Sequence, residues 1–477
     1  MESTQSRRTS WLPLLTLISV FFFWGFVAAS NTVLIPLFKR HFTLLQWQSQ
    51  LVDFAFYIAY TVGSLAYFLI SASAGDPLNK IGYKKGLVLG LCISALGALG
   101  FVPAATLESY PLMLTSLFVV ALGFALQQIV ANPYVIAIGD PATGAHRASM
   151  AQGINSFGTA IGPLLLSWAL WGGIAGEAGE TVGLEAVKVP YLVLCAAFLA
   201  FAGLLAVSKL PAITSAQPLP RSFGALRYPQ LVLGMLAIFV YVGVEVSIQS
   251  NLPELMRQPE ILGLEHEQTV HFISLFWGGL MIGRWTGAIS VFSRSARSRA
   301  ILTVVVPLLA YATLLGVNAI RLDASGHIER MRDLYAYFPF VILLIAGFFI
   351  VRQRPARTMM IFGTMAAIMM TVGLLTDGRL ALYCFVSGGL FCSVMWPCIF
   401  ALSIAGLGQH TNQGSSLLVM MILGGALIPP IQGYIADVTG IHASYAVPVV
   451  CFAYLAFYGW KVRRVLRASG IDYDATV

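Results

Sequence analysis

The sequence predicts an all-α integral membrane protein of about fourteen spanning helices, on three observations. Of 477 residues, 58% are hydrophobic and only 10% charged, where a soluble domain carries about 25% charge. Apolar runs recur from end to end, each long enough at about 17–27 residues to cross a hydrocarbon layer of about 30 Å. The basic residues also cluster in alternate loops instead of scattering.

Taken in order, the first run, 12–38, follows a polar decapeptide with Arg7 and Arg8. It lacks a small-residue cleavage site and reads as an uncleaved helix. Span 47–74 stops at Gly75-Asp76-Pro77, a glycine and proline turn signal. Spans 86–105 and 111–139 are separated by a short turn, and 148–172 and 189–209 flank a stretch holding Glu177, Glu180 and Glu185. Segment 210–227, with Pro211, Pro218 and Pro220, is the long polar linker, so the chain divides into 1–209 and 228–477. The second part opens with 228–252 and 269–292. Spans 300–320 and 335–351 lie between two basic runs, Arg294–Arg299 and Arg352–Arg357. The last four are 358–376, 380–405, 414–437 and 443–464.

Six spans precede the linker and about eight follow. A hairpin inserted at a cytoplasmic loop duplicates a basic run and preserves the orientation of every other helix. Segment 300–351 is therefore read as an accessory two-helix hairpin with a peripheral packing role. An even count puts both termini on one side. About nineteen lysines and arginines fall in the loops on that side, against about eight on the other, which makes it the cytoplasm. The net charge of +8 is thus topological and implies a bilayer, not a nucleic acid. The six cysteines fall within spans without metal-ligand spacing, and no nucleophile motif is present, so neither a metal, nor a cofactor, nor an enzyme is expected.

Ionisable groups in hydrocarbon cost several kcal/mol, about 2.5–3.5 on insertion scales, and mark functional sites by default. Glu245, in YVGVEVSIQS, is such a group, with Gln249 one turn on. Neutral amides also pair along helix faces: Gln128 with Asn132 at i, i+4, next to Gln127, and Gln152 with Asn155 at i, i+3. Each pair either glues helices together or faces a hydroxyl-rich ligand. Trp24, Trp277 and Trp396 lie within spans, and Trp396 adjoins Pro397, where a kink would open backbone groups to a cavity. Asp53 is placed about 9 Å below the outer surface, level with Thr32. Arg284 is expected to snorkel or to make an inner-gate contact, a structural role. Gly97/Gly100, Gly278/Gly279 and Gly424/Gly425 are expected to mark close helix packing.

Six helices plus six, with GDPLNKIGYKK after the second span and GRWTGAISVFSRSARSR at the corresponding place later, resembles the major facilitator plan. In the first of these loops Asn79 stands where that plan usually has aspartate. FFFWGFVAASNTVLIP, ALQQIVANPYV, RASMAQGINSFGTAIGP and SVMWPCIFALSIAGLGQHTNQGSSLLVMMILGGALIPPIQGYIAD narrow the match, together with SYAVPVVCFAYLAFYG. Jointly they resemble the fucose–proton symporter family, its glucose/galactose branch more than fucose permease.

The resemblance implies two pseudo-symmetric six-helix halves and alternating-access uptake of a monosaccharide across a bacterial inner membrane. Fucose permease has an Asn-Asp pair in its first span, the aspartate serving proton-linked transport; here the pair is Asn31-Thr32. It also has a glutamate four residues before the Asn-Pro, where this chain has Gln128 before Asn132-Pro133. The expected sugar-binding set is Asn31, Gln128, Asn132, Gln152, Asn155, Glu245, Gln249, Trp277 and Trp396. Glu245 is the expected cation-coupling group, and Asp53 is taken to supply the acid that Thr32 lacks. The ion is H+ or Na+, and the protein is expected to act as a monomer. The alternatives are a passive hexose uniporter and a fourteen-helix multidrug–proton antiporter, whose fifth-span motif GTAIGP partly resembles.

Overall fold

The computed structural model describes residues 11–44, 48, 51–139, 143–171, 183–208, 210, 223–264, 269–293, 295–324, 327–352 and 354–472. Every element among them is helical, and eleven helices are long and apolar enough to cross a membrane. The chain sorts into two compact units, 1–144 with 154–227 and 407–423, and 145–153 with 228–406 and 424–477.

The first unit holds α1 (Trp11–His41), α2 (Leu51–Ala74), α3 (Tyr83–Thr106), α4 (Tyr110–Ala137), most of α5 (Gly144–Trp171) and α6 (Lys188–Val207). In lipid the hydrophobic effect does not drive helices together, so close backbone approach has to. Glycine supplies it. A Cβ on Gly97 would stand 2.4 Å from Val120 N, and one on Gly123 2.4 Å from Gly90 O, so α3 and α4 meet backbone to backbone. Similarly α1 crosses α5 where a Cβ on Gly25 would meet Asn155 O at 2.1 Å and one on Gly158 would meet Phe22 O at 2.2 Å. Gly162 is seated against Phe26 O in the same way. The glycines of GTAIGP therefore have a packing role.

The second unit holds α7 (Pro229–Arg257), α8 (Val270–Gly287), α9 (Ala296–Ala324), α10 (Phe338–Val351) and α11 (Pro355–Leu374). Three short helices follow, α12 (Gly378–Val386), α13 (Gly388–Cys392) and α14 (Met395–Ile404). After α15 (Thr411–Met420), which belongs with the first unit, α16 (Gly424–Thr439) and α17 (Ala446–Ala468) complete the second.

The expected single span 380–405 is thus three helices in series. One break falls at Ser387, whose Oγ donates to Cys384 O at 2.6 Å. There Gly389 presses its backbone on Phe276 O, 2.3 Å from where a Cβ would sit. The other falls just before Trp396-Pro397, as the proline implied, with Ser393 Oγ donating to Leu390 O. Span 414–437 is divided too, by the 3-10 turn Met421–Leu423, while Gly424 abuts Phe239 O. Gly100, Gly278 and Gly279 also lie in tight packing, against Ser116, Leu314 and Leu390.

Candidate substrate and coupling site

In the second unit three helices bring one polar cluster together. Glu245 lies midway along α7, and Tyr241, one turn earlier on the same face, donates its hydroxyl to Glu245 Oε2. Arg284 of α8 stands with Nη2 3.7 Å from Glu245 Oε1, the two side chains 7% and 16% exposed respectively. At that separation the contact is an ion pair more than a hydrogen bond. The expectation that Arg284 snorkels is corrected: its guanidinium is buried and points at the acid. The reason is local, because Gly283 has no side chain and lets α8 approach Ser393 and Leu390 closely, drawing its last turns inward.

Trp396 of α14 packs its ring 6.1 Å from that of Tyr241 and 6.2 Å from that of Phe400. The kink before it carries the indole into the same cluster. Gln249 is half-buried one turn beyond Glu245. Trp277 is 37% exposed and touches Phe276 edge-on.

The chemistry of the cluster follows from its parts. A carboxylate with an arginine and a phenol is held in place while ionised, and any cation that neutralises it removes the reason for the arginine to stay. A buried indole beside it offers an apolar face, and Gln249 offers both donor and acceptor.

In the first unit the amides divide into two kinds. Gln127 is fully buried, accepts from Trp24 Nε1 at 3.0 Å and donates to Ser94 Oγ at 3.1 Å. That chain glues α1, α3 and α4, and it gives Trp24 a packing role. Asn155 likewise donates to Phe21 O at 3.0 Å, at the α1–α5 crossing. Gln128, half-buried, donates to Tyr60 OH at 3.2 Å, leaving its carbonyl for another partner. Asn132 is 4% exposed, and its Nδ2 has no protein partner among the described residues. A buried unpaired amide costs about 1–3 kcal/mol and is what a hydroxyl-bearing ligand would satisfy.

Gln152, half-buried on α5 one turn before Asn155, falls in the stretch 145–153 counted with the second unit. The side chains of Asn31 and Thr32 lie outside the described residues. Asp53 sits half-buried in the described part of α2.

One acid escaped the sequence reading. Asp76 caps the turn Pro77–Ile81 by accepting from Leu78 N at 3.0 Å, and it also accepts from Tyr67 OH and from Asn412 Nδ2. Tyr83 OH closes the network on Asn412 Oδ1 at 2.5 Å. The acid of this loop is therefore Asp76, three positions before Asn79. The dipeptide Asp76-Pro77 was the available signal, since aspartate before proline is a strong helix-start pattern. On the same unit Ser415 Oγ donates to Ile129 O at 2.8 Å, seating α15 on α4.

No family model matches the chain. A glucose/galactose transporter of Brucella abortus is 35% identical over 464 residues, covering 96% of this chain and 95% of that one. The L-fucose-proton symporter of Escherichia coli is 27% identical over 470 residues, with 94% and 92% covered. A crystal structure of the major facilitator transporter FucP in the outward conformation superposes with a TM-score of 0.72 at 25% identity, covering 94% of this chain and 98% of the other. These relatives are transporters, not enzymes.

Proposed function

Because this chain belongs to the fucose–proton symporter family of the major facilitator superfamily, we propose that it is an alternating-access hexose transporter coupled to a cation through Glu245. The observation that carries this reading is the Glu245–Arg284–Tyr241 cluster beside Trp396. An ionised acid in a span is costly, and the arginine and tyrosine offset that cost only while the acid is charged. A proton or sodium ion on Glu245 removes the charge that faces Arg284, so cation occupancy and helix packing are linked.

The substrate class is a glucose- or galactose-like hexose, as the relatives' names suggest. Within the second unit Gln249 serves its hydroxyls and Trp396 its C–H face, and within the first Gln128 and Asn132 offer amides of the kind that hydroxyls engage. Asn155 commits one amide donor to the Phe21 carbonyl, which gives it a packing role and leaves its side-chain oxygen for a ligand. The chain works as a monomer with both termini in the cytoplasm of a bacterial inner membrane. Its fourteen spans are the eleven apolar helices together with α1, α5 and α8.

Equilibrium exchange of labelled glucose and galactose in proteoliposomes tests the substrate. Saturable exchange competed by the unlabelled sugar is expected, and none with any hexose sinks the reading. A passive uniporter is the second reading, favoured by Arg284 itself: an acid already neutralised by a fixed cation needs no mobile one. The antiporter reading loses its support, since the relatives are named for sugars and Gly158 and Gly162 are explained by packing on α1.

A further inference from the structure

The hairpin α9–α10 touches α8 along a single stripe. His271, Ser274 and Gly278 are spaced three and four apart and so share one face. Each meets a different feature of the hairpin. Gly278 receives Leu314, whose Cδ2 would lie 2.4 Å from a Cβ on that glycine. Ser274 Oγ accepts from Asn318 Nδ2 at 2.8 Å, one turn along α9. His271 Nε2 lies 3.5 Å from Asp333 Oδ2, in the turn Met331–Tyr335 that joins the two hairpin helices.

That turn is tied down further by α12. Arg379 Nη1 stands 3.1 Å from Asp333 Oδ1, an ion contact, and Tyr383 OH donates to Asp333 O at 2.8 Å. Tyr311 of α9 donates to Leu334 O. The other faces of α8 serve the candidate site, where Gly279 and Gly283 press on α13 and its flank and Arg284 reaches Glu245.

A hairpin that merely faced lipid would need none of this. Apolar helices gain little by associating in hydrocarbon, and a buried asparagine is tolerated there only with a fixed partner. Asn318 is 3% exposed and spends one amide donor on Ser274 Oγ and the other on the Leu314 carbonyl of its own helix.

We infer that the inserted hairpin is a positioning element for α8. Leu314, Asn318 and Asp333 hold the stripe His271–Ser274–Gly278, and so fix the helix that presents Arg284 to Glu245. The hairpin travels with α8 as one body through the transport cycle. The cycle itself belongs to the hexose reading above, whereas the brace is a property of the folded chain alone.

Two arms test it. In a chain whose native cysteines are replaced by serine, Ser274→Cys with Asn318→Cys allows the brace to be closed by a disulfide. Hexose exchange by the oxidised protein is expected to stay within about twofold of the reduced protein. Exchange lost on closure and regained on reduction would overturn the inference, because it means that the hairpin slides along α8.

The second arm needs no substrate. Amide hydrogen exchange of Val270–Gly287 is expected to quicken about tenfold in Asn318→Ala and to return in the swapped pair Ser274→Asn with Asn318→Ser. Unchanged exchange in Asn318→Ala would equally overturn it. If the reduced double-cysteine protein exchanges no hexose, the substrate reading fails and this second arm alone decides the brace.

Discussion

Replacing Arg284 with glutamine leaves Glu245 charged in a nearly buried position with only Tyr241 to hold it. At the observed 3.7 Å the gross attraction in a medium of effective dielectric about 20 is about 4.5 kcal/mol. Part returns through water, because the carboxylate is 16% exposed, so a net loss of about 2–3 kcal/mol is expected. Glu245→Gln alone should also destabilise, because it removes the charge that faces the buried guanidinium. With both replaced, two neutral amides face each other and the strain disappears. Unfolding of the four proteins in a fixed detergent closes a double-mutant cycle with an expected coupling of about 1.5–3 kcal/mol. Losses that add to within about 0.5 kcal/mol would refute the pairing and return Arg284 to a simple packing role.

Three further outcomes follow from the geometry. Trp396→Ala should raise the half-saturation for hexose about tenfold or more while Trp396→Phe retains most affinity, as concentration-dependent exchange would reveal; equal affinity in all three removes the indole from the site. Gly158→Val, whose side chain would enter the space 2.2 Å from Phe22 O, should cut the yield of folded protein in size-exclusion chromatography, and normal yield would contradict the α1–α5 crossing. Asp76→Asn removes the charge that gathers Leu78 N, Tyr67 and Asn412 and should cost about 2 kcal/mol of stability together with faster amide exchange in Thr411–Met420; a change below 0.5 kcal/mol would show the network idle.

The sequence showed where helices run because lipid forces a long apolar run at each crossing, and polar punctuation marks the ends. The edges of α9 and α10 were legible for the same reason, since two basic runs bracket them. Glu245 stood out because a charge in a span has few bland explanations, and the kink at Trp396-Pro397 because proline lacks an N–H.

What each polar side chain touches was not legible. Spacing puts Gln152 and Asn155 on one helix face, yet only the packing of α1 shows that Asn155 meets the Phe21 carbonyl. Nothing near Arg284 in sequence points to Glu245, because their meeting depends on Gly283 admitting Ser393 and Leu390 from another helix. Asp76 and Asn412 lie in opposite parts of the chain, so no local pattern joins them. The break at Ser387 was hidden because a buried helix reads as one hydrophobic run however often it bends.

Coupling of hexose movement to a cation through Glu245 is measured by labelled glucose uptake into proteoliposomes under an imposed proton gradient, a sodium gradient or neither. Accumulation above equilibrium is expected with one gradient, and Glu245→Gln should lose that accumulation while exchange persists. Uptake that only equilibrates under every gradient, or accumulation that survives in Glu245→Gln, would contradict it.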